Sequence, residues 1–266
     1  IGGAKVGLAH AMDRRLPQRA DKLVFRGTYL AEYFRQIAPG KTLPPWRWVP
    51  DGFDPDPFRP RRADAGVAAL PRPHGLDARL VVGLVGNIHH NPKLGLFYGW
   101  DLAEALAALP ADLPVTGVVV GDGPGRPVLE ATRDRLGLGD RLKVVGRVPH
   151  DHVPLWMNVF DVGLSTQTDD PVGWGRTTAK LPEYLGCGLP LICTDVGEAH
   201  RLLAATGQTL PYHGLKDVAY PGRLADRIRE WCGRDLAELQ RSNRELAMST
   251  FAYPLVRETL AAFLHE

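Results

Sequence analysis

From residue 80 onward, short apolar runs alternate with longer segments whose apolar residues recur at helical spacing. The strand-like runs cover residues 80–88, 115–120, 142–148, 161–165, 189–194 and, more weakly, 208–211. The helical patterns between them cover residues 96–109, 128–136, 153–160, 182–187 and 198–205. Nearly continuous apolar strands separated by helices indicate βαβ units and a parallel sheet covered on both faces. Since such crossovers are right-handed, the sequence predicts an α/β fold with a doubly wound, Rossmann-like sheet.

The first 78 residues do not follow this alternation. Residues 20–25 have the pattern of a single strand and residues 29–37 that of a helix, whereas six prolines between positions 44 and 60 are typical of a linker. One strand and one or two helices are too little for a domain, so the residues before Pro50 have the pattern of the end of a larger unit. After Pro221 the chain is helical, and the terminal helix carries Leu255, Leu260 and Phe263. This apolar face needs a surface to dock on.

Composition narrows the class of protein. The 266 residues suffice for one large or two small domains, and 32 basic against 30 acidic residues leave a net charge of +2. That balance gives no reason to expect a nucleic-acid partner. No signal peptide or integral membrane segment is evident, and the three cysteines lie inside strand or helix patterns. We therefore expect a cytoplasmic protein with reduced cysteines.

We expect neither a metal site nor a cofactor. The pair Asp54 and Asp56 matches an Asp-x-Asp metal-binding pattern, but it lies in the proline-rich segment and not at the end of an apolar strand. The adjacent His89 and His90 diverge and cannot easily chelate one ion.

The segment 175–190 carries the strongest chemical signal. Lys180 and Glu183 lie at the start of a short helix, and Pro182 predicts that this helix begins at residue 182. The backbone N–H groups of residues 178–181 would then face an anion, for which phosphate is the natural ligand of a helix N-terminus. Glu183 would be repelled by phosphate and suits hydroxyls such as those of a ribose. An ordinary polar helix start with a surface lysine and glutamate remains the alternative.

Three other loops follow predicted strands, at the sheet edge where open α/β sheets bind ligands. In the loop 86–95, Gly86 allows close backbone approach and Lys93 is placed to meet a phosphate, unless it is merely solvated. The loop 121–125 contains Gly121 and Gly123, which by themselves indicate no more than a tight turn. In the loop 146–149, backbone edges are available to contact a base.

Taken in this order, the motifs resemble the retaining nucleotide-sugar glycosyltransferases of group 1, which have the GT-B fold. The matching segments are residues 20–26, 49–54, 58–60, 120–124, 142–146, 161–164 and 178–190. The resemblance covers nearly the whole chain. It implies a remnant of the N-terminal acceptor domain at 1–48, a hinge at 49–78, a donor-binding Rossmann-like domain at 79–240, and a C-terminal helix at 241–266 that crosses toward the N-terminal domain.

The resemblance also implies roles for individual residues. Lys180 would bind the diphosphate and Glu183 the ribose hydroxyls, which makes these two the expected catalytic residues. The expected substrate-binding residues are Gly86, Asn87, Lys93, Gly121, Gly123, Gly146, Arg147, Val148, Thr177, Thr178 and Ala179. Two positions depart from the family. Many members have an arginine where this chain has Asn87, and a sugar-contacting glutamate where it has Gly175, for which Asp169 or Asp170 are candidate substitutes.

The function implied by the resemblance is transfer of a sugar, with retention, from a UDP- or GDP-sugar to the hydroxyl of an unknown acceptor. Lysine and helix N–H groups would stabilise the departing diphosphate, so we expect no metal requirement. Because most of the acceptor domain is not visible, we expect a mobile C-terminus or some self-association. Two alternatives stay open: a non-catalytic nucleotide-sugar-binding module, and an NADP-dependent oxidoreductase that uses residues 121–125 with Arg147 at the 2′-phosphate. The second leaves Lys180 and Glu183 unexplained.

Overall fold

A small unit precedes the main sheet. The computed structural model describes residues 11–15, 17–70, 74–76 and 79–266, so parts of the predicted N-terminal remnant and hinge lie outside the described residues. Strand β1 (Leu23–Phe25) is followed by helix α1 (Tyr29–Ile37) and by strand β2 (Trp46–Trp48), which pairs in parallel with β1. A short helix, α2 (Ala65–Ala69), lies in the segment predicted as the hinge.

The rest of the chain is built on one parallel sheet. In chain order its strands and an added hairpin are β3 (Leu80–Val85), the hairpin β4 (His90–Asn91) and β5 (Leu96–Phe97), β6 (Val115–Val120), β7 (Leu142–Gly146), β8 (Val162–Ser165), β9 (Leu191–Thr194) and β10 (Thr209–Leu210). The six sheet strands are ordered β10-β9-β8-β3-β6-β7, and every pair is parallel. The strand order therefore reverses between β3 and β8, which is the switch point where such sheets bind ligands.

Helices cover both faces of this sheet. The helices that follow β3 in the chain are α3 (Trp100–Ala108), α4 (Arg126–Arg135), α5 (Val153–Val159), α6 (Pro171–Gly175), α7 (Lys180–Gly186), α8 (Gly197–Leu203), α9 (Tyr220–Trp231), α10 (Ala237–Thr250) and α11 (Tyr253–His265). One buried apolar cluster joins the sheet to α3, α4 and α9, and the other joins it to α5, α7, α8 and α10. The predicted doubly wound α/β fold is confirmed.

The element boundaries differ from the predicted ones where backbone geometry decides them. The segment predicted as one helix at 96–109 divides into β5 and α3, with Gly99 at a φ of +90° between them. The predicted start of α7 at Pro182 is wrong, since the helix begins at Lys180. Pro182 is tolerated there because it lies in the first turn, where a backbone N–H has no partner within the helix. Strand β2, the hairpin of β4 and β5, and the short helices α2 and α6 were not predicted.

The terminal helix α11 packs against the β1–β2 unit. Phe263 is buried, and Lys22 Nζ donates to its carbonyl oxygen at 2.6 Å. At the end of the helix, Arg47 forms an ion pair with Glu266 at 2.8 Å. The apolar residue Phe263 is thus covered within the chain, while the predicted domain limits and self-association stay predictions. In the described part of the chain, no helix has both the length and the apolar character needed to cross a membrane.

Candidate active site

A cavity of about 500 Å³ opens at the carboxyl ends of β3 and β8. Its walls come from the loops after these strands, from the segment that joins α6 to α7, from Arg26 after β1 and from Tyr212 after β10. The cavity therefore lies at the switch point of the sheet and also touches the N-terminal unit.

Lys180 is positioned over the end of β3. Its Nζ donates to the Tyr98 hydroxyl at 2.9 Å and lies 4.4 Å from the centre of that ring. Tyr98 in turn donates to the Val85 carbonyl at 3.1 Å. A Cβ added to Gly86 would come within 2.6 Å of Nζ, so the absence of a side chain at Gly86 makes room for the ammonium group. The cation is held where a phosphate at this sheet edge would meet it.

Glu183 lies one turn further along α7. It is largely buried, and this burial raises the pKa of its carboxyl to about 7, although the nearby charge of Lys180 acts in the opposite direction. Its side chain does not line the 500 Å³ cavity as Lys180 does. A carboxyl group with this pKa changes its charge near neutral pH, so its hydrogen-bonding capacity depends on pH there.

The residues that precede α7 differ in the contacts they make. Thr178 and Ala179 line the cavity at the helix N-terminus. The buried Thr177 also lines it, but its hydroxyl donates to the Arg26 carbonyl at 2.8 Å and so ties the N-terminal unit to the sheet domain. The predicted run of N–H groups facing an anion is shorter than expected, because the Leu181 N–H donates to the Thr178 carbonyl at 3.1 Å.

A second cavity, of about 400 Å³, lies beside the first. It is lined by five of the predicted substrate-binding residues, namely Gly86, Asn87, Gly121, Arg147 and Val148. Asn87 lines both cavities, so the positions expected for the base and for the diphosphate are neighbours. Gly146 does not line this cavity, and its carbonyl accepts a hydrogen bond from the N–H of the lining residue Gly121 at 2.9 Å.

The glycines of the loop 121–125 are explained by packing. Gly121 has a φ of +151°, and a Cβ there would lie 1.8 Å from the Gly86 carbonyl oxygen. A Cβ on Gly123 would lie 2.3 Å from Asn87 Oδ1, and one on Gly125 2.6 Å from the His89 carbonyl oxygen. The loop after β3 thus covers the glycines on which a dinucleotide pyrophosphate would rest. This arrangement argues against the NADP-dependent oxidoreductase.

Neither Lys93 nor Gly175, which stands where many family members have a sugar-contacting glutamate, lines either of these two cavities. Lys93 is exposed in the turn between β4 and β5 and lines neither cavity, so its contact with phosphate stays a prediction. Gly175 faces α1, since a Cβ there would lie 3.0 Å from Leu30 Cδ2. Within α6, the side chain that lines the cavity of about 500 Å³ is that of Val172, which is 66% exposed.

The two candidate substitutes for a sugar-contacting glutamate already have partners. Asp170 caps α6 by accepting hydrogen bonds from the Gly173 N–H and the Thr168 hydroxyl, both at 2.8 Å. Asp169 accepts one from the Trp174 indole at 2.7 Å. These bonds give both carboxylates a role in shaping the loop.

Sequence reasoning missed several residues of the larger cavity, among them Arg26, Tyr98, Arg176 and Tyr212. Arg26 and Tyr212 come from opposite ends of the chain, and Tyr98 lies in a segment predicted as helix. Arg176 lies in the segment 175–190 and carries a charge, so of these four residues it is the one that the sequence could have indicated.

A buried carboxylate joins the N-terminal unit to the sheet domain next to the cavity. Glu198, at the start of α8, is 2% exposed. It accepts hydrogen bonds from the N–H of Thr28 at 2.5 Å and from its hydroxyl at 2.8 Å, and forms an ion pair with Arg201 at 2.7 Å. Arg201 also lies 4.3 Å from the centre of the Trp48 ring. We refer to this set of contacts as the Glu198 clasp.

Comparison with known proteins finds relatives of this chain among glycosyltransferases. The chain is 34% identical to a 2-deoxystreptamine glucosyltransferase of Streptomyces kanamyceticus over 75% of its own length and 49% of the relative's. It is 28% identical to an alpha-D-kanosaminyltransferase of the same organism over 72% of its own length and 49% of the relative's. The chain spans about half the length of these curated relatives.

Among solved structures, Alr3699/HepE of Anabaena, crystallised in complex with UDP, matches over 100% of this chain and 68% of its own, with a TM-score of 0.78 and 19% identity. This similarity shows the GT-B fold. The family described as glycosyl transferases group 1 matches residues 79–232, which is more than half of the chain. This range contains every residue that lines the two cavities except Arg26. The chain therefore belongs to the group 1 glycosyl transferases.

Proposed function

We propose that this chain is the donor-binding part of a glycosyltransferase that moves a sugar from a nucleoside diphosphate sugar to an acceptor hydroxyl. The observation that carries the proposal is the placement of Lys180 Nζ over Gly86, held by Tyr98, in a cavity at the switch point of the sheet. The diphosphate of the donor would lie under this ammonium group, with Thr178 and Ala179 at the N-terminus of α7 beside it.

The chemistry follows from charge. When the bond between the sugar and the diphosphate breaks, negative charge accumulates on the departing diphosphate oxygen. A preorganised ammonium group stabilises that charge more in the transition state than in the ground state, and removing one such donor typically costs about 3–4 kcal/mol. We keep metal independence and retention of configuration as predictions, since both come from the resemblance to the family.

Uracil is the base we propose, because the structural neighbour was solved with UDP. The cavity of about 400 Å³ beside Val148 would hold the base. Glu183 lines neither of the two cavities, and we propose that it accepts hydrogen bonds from the ribose hydroxyls. For the acceptor we propose an aminocyclitol hydroxyl, since one relative is named for 2-deoxystreptamine. The relatives' names leave the donor sugar open, because one is a glucosyl and the other a kanosaminyl transferase, that is, a neutral and an amino sugar.

The cytoplasm is the compartment we propose. Cys187, Cys193 and Cys232 are all free thiols, and burial raises the pKa of the Cys187 and Cys193 thiols to about 12. Thiols kept protonated by burial are inert, as expected of structural cysteines in a reducing compartment.

Calorimetric titration of the chain with UDP, GDP, ADP and dTDP tests the donor. We expect UDP to bind most tightly, and the Glu183→Gln variant to weaken UDP binding by roughly 1.5–3 kcal/mol through loss of charged hydrogen bonds to the ribose. The variant should affect a 2′-deoxyribose nucleotide less. Failure of the chain to bind any of the four nucleotides would refute the donor site.

The non-catalytic nucleotide-sugar-binding module remains the second candidate, because the chain spans about half the length of its curated relatives. Incubation with UDP-glucose and 2-deoxystreptamine, followed by mass spectrometry, separates the two. Appearance of a glycosylated aminocyclitol supports the enzyme. Tight donor binding without product, in an assay that also supplies a complete acceptor-binding domain, supports the binding module.

A further inference from the structure

The last residue of β3 is hydrogen-bonded through both of its backbone polar groups to tyrosine side chains. The Tyr98 hydroxyl donates to the Val85 carbonyl at 3.1 Å, and the Val85 N–H donates to the Tyr184 hydroxyl at 2.9 Å. The ladder between β3 and β8 covers Val82 and Gly83 and does not extend to Val85. Two side chains therefore satisfy the backbone at the switch point of the sheet.

The Tyr98 hydroxyl also connects this backbone to Lys180, whose Nζ lies 2.9 Å from it. Because a carbonyl only accepts and an ammonium group only donates, the hydroxyl donates its one proton to Val85 and accepts from Lys180. The ammonium group lies 4.4 Å from the centre of the Tyr98 ring as well. One of its three N–H groups is used by Tyr98, and two are left for phosphate oxygens.

The second tyrosine fixes the helix that carries the lysine. Lys180 and Tyr184 lie four residues apart on α7 and hence on the same face of that helix. Tyr184 is fully buried and contacts Val85 directly, whereas Lys180 is connected to Val85 through Tyr98. We refer to Tyr98 and Tyr184 as the tyrosine clamp. Its contacts join α7, the end of β3 and the residue that follows β5.

The tyrosine clamp holds the lysine without neutralising it. Tyrosine is uncharged near neutral pH. Among the ion pairs formed by the described residues, none includes Lys180, so the Glu183 carboxyl on the same helix is beyond ion-pair distance. A lysine side chain has many rotamers, and a site that already fixes one of them loses less conformational entropy when a phosphate binds.

From this geometry we infer that Tyr98 and Tyr184 are positioning residues for binding of the diphosphate. Both act through Lys180: Tyr184 fixes α7 against the end of β3, and Tyr98 fixes the ammonium group over Gly86. The inference rests on the proposed function, because it takes the diphosphate as the group that meets Lys180. It gives a role to the tyrosine of the segment 178–190.

A double-mutant cycle tests whether Tyr98 acts through the lysine. The chain and its variants are titrated by calorimetry with UDP and with uridine. Tyr98→Phe keeps the ring and removes the hydroxyl, so we expect it to weaken UDP binding about three- to tenfold and to leave uridine binding within about twofold. In the Lys180→Ala background the same substitution should change UDP binding by less than about twofold, because the group it positions is gone.

Tyr184→Phe tests the other half of the tyrosine clamp. It leaves the Val85 N–H without its partner, and we expect UDP binding to weaken about three- to tenfold while uridine binding stays within about twofold. The matched control is Tyr220→Phe, since Tyr220 is also fully buried and its hydroxyl has no hydrogen-bond partner among the described residues. The control should leave UDP binding within about twofold.

The contrary outcomes are distinct. An equal loss of UDP binding from Tyr98→Phe with and without Lys180 would mean that the hydroxyl contacts the nucleotide directly, and it would overturn the inference. Unchanged UDP binding in Tyr98→Phe would do the same. Loss of uridine binding in Tyr184→Phe would show that this hydroxyl supports the fold as a whole, and it would overturn the role of Tyr184.

The proposed function survives each of these results as long as the original chain binds UDP and Lys180→Ala weakens that binding. If the original chain does not bind UDP, the proposed function fails and the inference fails with it.

Discussion

At the scale of single residues, the position of Lys180 depends on residues far away in the chain, since it is held by Tyr98 over Gly86. The property of Glu183 depends on burial, which raises the pKa of its carboxyl to about 7. The sequence placed both on one short helix and predicted phosphate and ribose as ligands. Those roles stay predictions, and each has a measurable consequence.

Lys180→Ala should weaken UDP binding far more than uridine binding, because the ammonium group is proposed to meet only the diphosphate. Loss of one charged hydrogen bond corresponds to roughly 1.5–3 kcal/mol, and the loss should shrink as salt rises. Calorimetry with both ligands measures it. The matched control is Lys143→Ala, since Lys143 pairs with Asp140 at the opposite end of the sheet domain. Equal losses for UDP and uridine would mean that the phosphate site is misplaced.

The buried carboxyl of Glu183 should make stability depend on pH. Its pKa is about 7 in the folded protein, against a reference value of 4.5. Between these pKa values the folded state holds more protons than the unfolded state, so the free energy of unfolding falls as pH rises from about 4.5 to about 7. Above that range Glu183 causes no further decrease. The accumulated penalty is at most about 3 kcal/mol.

Glu183→Gln removes this titration, so the variant should gain stability over the original chain near pH 8 and gain little near pH 5. Urea unfolding at both values measures the difference, with Glu230→Gln as control because Glu230 lies exposed on α9. A gain that is the same at both pH values would show that charge is not its cause.

At the scale of elements, local patterns located strands well and junctions poorly. All six strands of the main sheet lie within predicted segments, because buried parallel strands are continuous apolar runs. Strand β2 was missed because it is short, lies among prolines and forms only by pairing with β1. Helix α7 begins two residues before its proline, since a proline in the first turn does not mark the first position uniquely.

The Glu198 clasp connects the start of α1 to the start of α8, and its loss should weaken that connection. Glu198→Ala leaves the Thr28 N–H without its partner and Arg201 without its counter-charge. We expect a loss of roughly 1–3 kcal/mol in the free energy of unfolding. We also expect faster amide exchange at the start of α1. Glu230→Ala removes ion pairs to Arg227 and Arg234 in which the Glu230 side chain itself is exposed, and it should change stability by less than about 1 kcal/mol. If the two variants destabilise equally, the clasp does not join the units.

At the scale of the whole molecule, one sheet domain presents both cavities, and a small unit of β1, β2 and α1 is held against it by the Glu198 clasp, Thr177 and α11. In a two-domain glycosyltransferase, the reaction takes place in the cleft between domains, where one wall binds the acceptor and excludes water. The small unit supplies Arg26 to the larger cavity, and little else of such a wall is present in the described residues.

This organisation predicts that the chain alone binds UDP-glucose but transfers glucose poorly or not at all. Binding depends on the sheet domain, whereas transfer needs an acceptor held against the sugar. Calorimetry with UDP-glucose, together with mass spectrometry of acceptor mixtures, measures the two properties on one preparation. Efficient transfer to a defined acceptor by a monomer of these 266 residues would overturn the interpretation of the N-terminal segment as a remnant.

The sequence by itself determined the features that depend on residues close together in the chain. Continuous apolar runs and helical spacing predicted the doubly wound sheet, and one segment of sixteen residues, 175–190, placed Lys180 and Glu183 on the same helix. Tertiary structure alone decided what depends on distant residues. Folding brings Arg26, Tyr98 and Tyr212 to one cavity wall, buries Glu183 and covers the glycines of the loop 121–125. Those outcomes follow from the order of the strands in the sheet, because this order decides which loops meet at its edge. Local sequence patterns do not determine the strand order.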